Sequence, residues 1–183
     1  DPTNQTLFVS DDSLNRIMIF DVTSITNGEN AIGVLGQADF ESYGSNTNQS
    51  GVQMVRGLDY DTVNDRLFVA DTENDRVLVM DFDVENFTNG QNFDMVLGQP
   101  NFTNGICGGT NSQNLCLPYD IKYDSINENL YVTDTGYQRV MVFDASVSNL
   151  DSYDTAIHVF GQEDFSGNSA MAGNSIPDNY GFE

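Results

Sequence analysis

Apolar and polar positions alternate in short bursts along this chain, and the bursts recur on one schedule. The clearest copies are RLFVADTENDRVLVMDFD (Arg66 to Asp83) and NLYVTDTGYQRVMVFDAS (Asn129 to Ser146), with TLFVSDDSLNRIMIFDVT (Thr6 to Thr23) ahead of them. Each copy holds two runs rich in β-branched and aromatic residues, a pattern that predicts half-buried to buried strands. In the middle copy these are Leu67–Asp71 and Val77–Asp81, joined through TEND, whose turn formers close a hairpin. A third strand, Phe93–Leu97, follows an Asn-Gly pair, and a fourth, Leu117–Tyr123, follows a long Gly/Asn/Ser loop. The first copy offers Leu7–Asp11, Ile17–Asp21, Ala31–Leu35 and Met54–Tyr60. The third offers Leu130–Asp134, Val140–Asp144, Ala156–Phe160 and Pro177–Phe182. No helical period of 3.6 competes with this pattern.

A second marker keeps step with the first. GVLGQADF, MVLGQPNF and HVFGQEDF place their central glycine at Gly36, Gly98 and Gly161, at spacings of 62 and 63 residues. A unit of this length cannot bury its apolar face alone and must stack on its neighbours. Four antiparallel strands per unit, stacked radially, make an all-β fold of β-propeller type. Aligning the copies sets the repeats at 1–60, 61–123 and 124–183, with Asp1, Asp61, Asp124 and Glu183 falling on one column.

The core V-[SAT]-D-x-x-x-x-R-[IV]-x-[IV]-[FM]-D resembles the NHL repeat, and the longer unit ending in V-[LF]-G-Q-x-[DN]-F is similar to a secreted subgroup of NHL-type propellers. The resemblance covers essentially the whole chain. One departure is that the asparagine usual before the x-Arg step stands only at Asn74, with Leu14 and Tyr137 in the other copies. In NHL-type propellers the fourth strand of one repeat is the innermost strand of the next blade. The resemblance therefore implies that the first blade lacks its inner strand and that the last predicted strand, with Pro177, Tyr180 and Phe182, has no blade of its own. Propellers close with about four to eight blades. Either the chain is an excerpt, or its last strand completes the first blade of another copy, two copies closing a six-bladed ring or many forming a filament.

Composition narrows the partners. The 183 residues carry 28 acidic and six basic side chains, a net charge of −22. That excludes nucleic acid and anionic membrane as natural partners, and leaves calcium, a salty medium or simple solubility as reasons for the acidity. No run of 18 apolar residues exists to insert into a bilayer. The chain starts at Asp1 without a signal peptide, which reads as a processed or excerpted segment. Sequons stand at Asn4, Asn48, Asn86 and Asn101, all in predicted loops, as glycosylation needs. Cys107 and Cys116 lie within one loop, CGGTNSQNLC, with no histidine near. A loop-stapling disulfide and an extracellular location follow as the expectation.

Residues that invite a chemical role read mostly as scaffold. Asp11, Asp71 and Asp134 each end a strand, and Arg16, Arg76 and Arg139 each start its partner, so the expectation is a structural pair in every repeat. The Gly-Gln pairs suit a bend with positive φ and a glutamine bonded to loop backbone. Phe40, Phe102 and Phe165 are expected to plug the space between blades. His158 is the only histidine and sits in a predicted outer strand, and no serine elbow, zinc-protease motif or phosphate loop is present. Asp81, Asp83 and Glu85 alternate through DFDVENFTNG, a spacing that suits either calcium or a solvated stripe. The stripe is preferred because Asn86 and Asn92 stand where an EF-hand needs glycine and glutamate. The leading expectation is a secreted, non-enzymatic interaction or self-assembly module whose partners are copies of itself or an extracellular protein or glycan. The alternative is part of a longer six-bladed enzyme, a calcium-assisted lyase or lactonase-type hydrolase, with its catalytic residues largely elsewhere.

Overall fold

The computed structural model describes residues 1–169; the predicted strand with Pro177, Tyr180 and Phe182 lies outside the described residues. The fold is all-β, three antiparallel sheets stacked as propeller blades. The first sheet holds β1 (Thr6–Asp11), β2 (Arg16–Asp21) and β3 (Gly33–Leu35). The second holds β4 (Val55–Asp61), β5 (Arg66–Asp71), β6 (Arg76–Asp81) and β7 (Met95–Leu97). The third holds β8 (Pro118–Asp124), β9 (Asn129–Asp134), β10 (Arg139–Asp144) and β11 (His158–Phe160). Thus β4 and β8 each open a sheet by pairing with the hairpin that follows them, whereas among the described residues β1 pairs with β2 alone.

Burial along the strands follows from stacking. Strand side chains alternate between faces, so Leu67 and Val69 of β5 face blade one with Leu78 and Met80, and Phe68 and Ala70 face blade three with Val77 and Val79. Covered on both sides, β5 is buried throughout, while β9, with the same pattern of residue types, is buried at every second position. The first seam closes over Ile17, Ile19 and Leu35, and the second over Leu130, Val132, Met141 and Phe143.

Each hairpin turns through a single 3₁₀ turn, Asp12–Leu14, Thr72–Asn74 or Thr135–Tyr137. It ends on a left-handed residue, Asn15, Asp75 or Gln138, with φ of 51°, 52° and 53°. The third strands are shorter than predicted. Phe93 and Ala156 are buried, but their N–H groups leave the ladder and bond to Gln49 O and Ser112 O in the neighbouring blade's loop. The phenylalanine column also divides. Phe102 and Phe165 pack on the two seams, whereas Phe40 is 41% exposed because no described sheet lies on that side of blade one.

Candidate functional site

The repeated aspartate, arginine and glutamine form one network per blade. Arg76 Nε donates to Asp71 Oδ2 at 2.6 Å, and Arg139 Nε to Asp134 Oδ2 at 2.7 Å, all four side chains fully buried. Arg16 pairs with Asp11 at 2.9 Å in the more open first blade. Nη1 of each arginine reaches the carbonyl of the phenylalanine downstream, Phe40, Phe102 or Phe165. Gln37, Gln99 and Gln162 each bridge the left-handed turn residue to the loop, as Gln99 Nε2 does to Asp75 O and Ile106 O at 2.9 Å. The glycines before them stand at φ of 84° to 86°, a backbone that favours glycine. Burial pushes the carboxyls of Asp71 and Asp134 upward, Asp134 to about 6, while the paired guanidiniums and the amides of Gln53 and Cys116 pull the other way. Asn74 adds bonds to Asp71 Oδ2 and Asn46 O that Leu14 cannot make, and Tyr137 turns its hydroxyl to Gly108 O.

Four of the six basic residues are held in such pairs, the fourth being Arg66 with Asp61. The two others stand on the inner strands, Arg56 in β4 and Lys122 in β8, where Lys122 pairs with Asp59 at 2.8 Å. Both inner strands shift register, between Val55 and Leu58 and between Pro118 and Ile121, and such bulges re-aim side chains. The displaced residues Arg56, Gly57, Tyr119 and Asp120 line one cleft of about 450 Å³ with Ser10 and Asp12. The Arg56 guanidinium lies 4.7 Å over the Tyr119 ring, donates to its hydroxyl at 3.1 Å and stands 3.7 Å from Asp12. Arginine stacked on an aromatic ring beside two carboxylates suits holding a polar ligand. Ser10 has no histidine beside it, since His158 is exposed in β11. Repeat comparison passes over this cleft, because Arg56 and Tyr119 are not columns of the repeat. The signal that finds Arg56 is its rarity, one of six cations and outside the arginine column.

The acids of DFDVENFTNG lie at a second cleft. Asp81, Asp83 and Glu85 line a cleft of about 380 Å³ with Asn4, Asn64 and Asp65. Asp83 accepts from Asn86 Nδ2 at 2.8 Å and from Glu85 N–H at 2.9 Å, bonds that hold its pKa down. Burial raises the pKa of Asp81, helped by the charge of Asp94. Among the described residues, the group whose ligand atoms lie within 4.8 Å of one another is Asp75, Cys107 and Cys116. The two sulfurs are bonded to each other, so neither is a thiolate ligand. The disulfide instead sets the chain beyond it: Cys116 N–H donates to Asp134 Oδ1 at 2.7 Å and Leu117 N–H to Asp75 Oδ1 at 2.8 Å. Asn4, Asn86 and Asn101 are exposed. Asn48 is half-buried, its carbonyl bonded by Arg76 and its Oδ1 by the amides of Ser50 and Gly51.

No family model matches this sequence, and no curated protein matches it. Solved structures with a similar fold include a chain of a nidogen/laminin complex, 19% identical with a TM-score of 0.49 over 85% of this chain and 47% of that one. A Bacteroides uniformis protein assigned as a 6-phosphogluconolactonase is 13% identical, TM-score 0.48, over 85% and 39%. A luciferin-regenerating enzyme is 13% identical, TM-score 0.41, over 85% and 46%. This chain thus spans less than half the length of each. No helix among the described residues is long and apolar enough to cross a membrane.

Proposed function

We propose that this chain is an NHL-type propeller segment that works as an interaction and self-assembly module in an oxidising, extracellular setting. The observation that carries the reading is the inner edge of β1. In blades two and three an inner strand pairs with the first hairpin strand, and the aspartate at its end receives an amide from the incoming chain, Gln53 to Asp71 and Cys116 to Asp134. Among the described residues the inner edge of β1 in blade one is unpaired, and Asp11 Oδ1 receives only Leu14 of its own turn. An extended segment can add to such an edge through main-chain bonds. Residues 177–182 align with β4 and β8 and are the segment proposed to do so, from one copy to the next. The intrachain disulfide supports the oxidising compartment.

A labelled peptide of residues 172–183, titrated into the full chain and followed by anisotropy, tests the reading. Saturable binding, lost when Tyr180 and Phe182 are replaced by aspartate, is expected. Binding no tighter than that of a scrambled peptide would reject strand donation.

A further inference from the structure

The two seams inside the chain are one joint made twice. At the outer rim, the loop after the second strand of a blade docks on the third strand of the blade before. Gly90 N–H donates to Val34 O at 3.0 Å, and Asn89 Oδ1 accepts from Val34 N–H at 3.1 Å. In the next seam Tyr153 N–H donates to Val96 O at 2.7 Å, and Ser152 Oγ accepts from Val96 N–H at 3.2 Å. Nearer the axis, the residue closing each 3₁₀ turn accepts an amide ahead of the next inner strand, Asn15 Oδ1 from Met54 at 2.9 Å and Asp75 Oδ1 from Leu117 at 2.8 Å.

Each end of the stack displays one half of this joint. Blade one carries Thr26-Asn27-Gly28, the same tripeptide as Thr88-Asn89-Gly90 and folded alike. Thr26 N–H bonds Glu29 Oε2 at 3.0 Å where Thr88 N–H bonds Gln91 Oε1 at 2.9 Å, and Gly28 and Gly90 stand at φ of 77° and 65°. A β-carbon on Gly90 would lie 2.7 Å from Gln37 O, whereas one on Gly28 meets nothing within 4 Å. The docking loop of blade one is therefore formed and, among the described residues, has nothing seated against it. Blade three carries the receiving half. Val159 of β11 stands in the column of Val34 and Val96. The apolar faces correspond as well. Leu7 and Val9, 49% and 39% exposed, occupy with Met18 and Phe20 the columns of Leu67, Val69, Leu78 and Met80, which the first seam buries.

We infer that a second copy of this chain seats its Asn27–Gly28 loop on β11 of the first, repeating the internal joint head to tail. The inference rests on the assembly reading above and adds an outer-rim contact to it. Continuity with the two seams names the occupant, because the half-joint at one end is built to receive the half-joint at the other. Two chains of charge −22 repel one another, so association strengthens with salt, as the screening length falls from about 30 Å at 0.01 M to about 8 Å at 0.15 M.

Sedimentation velocity on the full 183-residue chain at low and physiological salt reads this out, with Asn27→Ala, Gly28→Ala and, as an internal reference, Gly90→Ala. The wild-type chain is expected to associate and to do so more strongly with salt. Asn27→Ala should weaken association about fivefold, the worth of one hydrogen bond, with a melting temperature close to wild type, and Gly28→Ala should abolish it while lowering the melting temperature only by the strain of a side chain at its φ of 77°. Gly90→Ala should lower the melting temperature further, because it adds a clash inside the fold. A wild-type chain that stays monomeric, or a Gly28→Ala chain that associates like wild type, overturns the inference. Binding of the 172–183 peptide separates the two ideas: peptide binding without a Gly28 effect leaves strand donation standing alone, and the converse leaves the rim joint.

Discussion

The Arg66 guanidinium donates to the carbonyl of Ala145, 79 residues further on and in the next blade, at 2.5 Å. The same group pairs with Asp61 at 2.9 Å, with Arg66 2% exposed and Asp61 fully buried. Asp61 in turn accepts the amides of Val63 and Asn64. One side chain thus fastens a hairpin turn of blade two to the end of β10 in blade three.

Arg66→Met is expected to destabilise the chain by about 3–5 kcal/mol, because it leaves a buried carboxylate without its cation. Thermal melting by circular dichroism should show a drop of about 8–15 °C. Arg66→Lys should recover part of it, since a single ammonium cannot serve both Asp61 and Ala145. A melt unchanged in Arg66→Met would mean the seam does not depend on this contact.

Burial holds the Asp134 carboxyl at about 6, above the ordinary 3.8 of an unfolded aspartate. Between those values the folded chain binds more protons than the unfolded one, so stability rises as pH falls from about 7 toward 5. Asp71 and Asp75 shift in the same direction, again through burial. Asp124, Asp144 and Asp164 are held low by hydrogen bonds, led by Asn127, Asn149 and Ser166, and withdraw their stability only below about pH 4. Urea midpoints should therefore be higher at pH 5 than at pH 7, and Asp134→Asn should flatten that slope. A midpoint that falls steadily from pH 7 to pH 5 would contradict the assignment.

Opening the Cys107–Cys116 bond should cost about 2–3 kcal/mol in loop entropy. The loss acts at the second seam, because Cys116 and Leu117 supply amides to Asp134 and Asp75. Melting with and without reductant checks it, with a Cys107→Ser/Cys116→Ser chain expected to melt at the reduced temperature in both.

Gly57 has no room for a side chain. A β-carbon there would lie 2.6 Å from the Asp120 α-carbon and 2.8 Å from Ile121 N, both backbone atoms of the adjacent inner strand. Gly57→Ala should destabilise by about 1–3 kcal/mol, the range for overpacking, and widen the cleft at Arg56. Quenching of Tyr119 fluorescence in a chain whose other tyrosines are phenylalanine would report that widening.

What the strands share was legible in the sequence; what each blade has alone was not. The hairpins start and stop within a residue of their predicted limits, because alternation reports burial of a face and three copies corroborate one another. The third strands were overextended because Phe93 is buried like a strand residue while its N–H serves another blade. The burial of β5 against the half-burial of β9 is a property of position in the stack, which residue types do not encode. Arg66 and Arg56 escaped notice for a related reason: Thr6 and Asn129 stand in the Arg66 column, so comparing repeats averages such residues away. The cleft at Arg56 depends on a bulge, and periodicity carries no information about a slipped register.

The placement of the cations has a consequence for proteolysis. Arg16, Arg56, Arg66, Arg76, Lys122 and Arg139 are the whole basic complement, and every one lies within a strand. The long loops that a protease would otherwise nick first contain neither lysine nor arginine. Trypsin-like enzymes must pull a strand out of its sheet before they can cut, so their rate on this protein is set by unfolding of a blade.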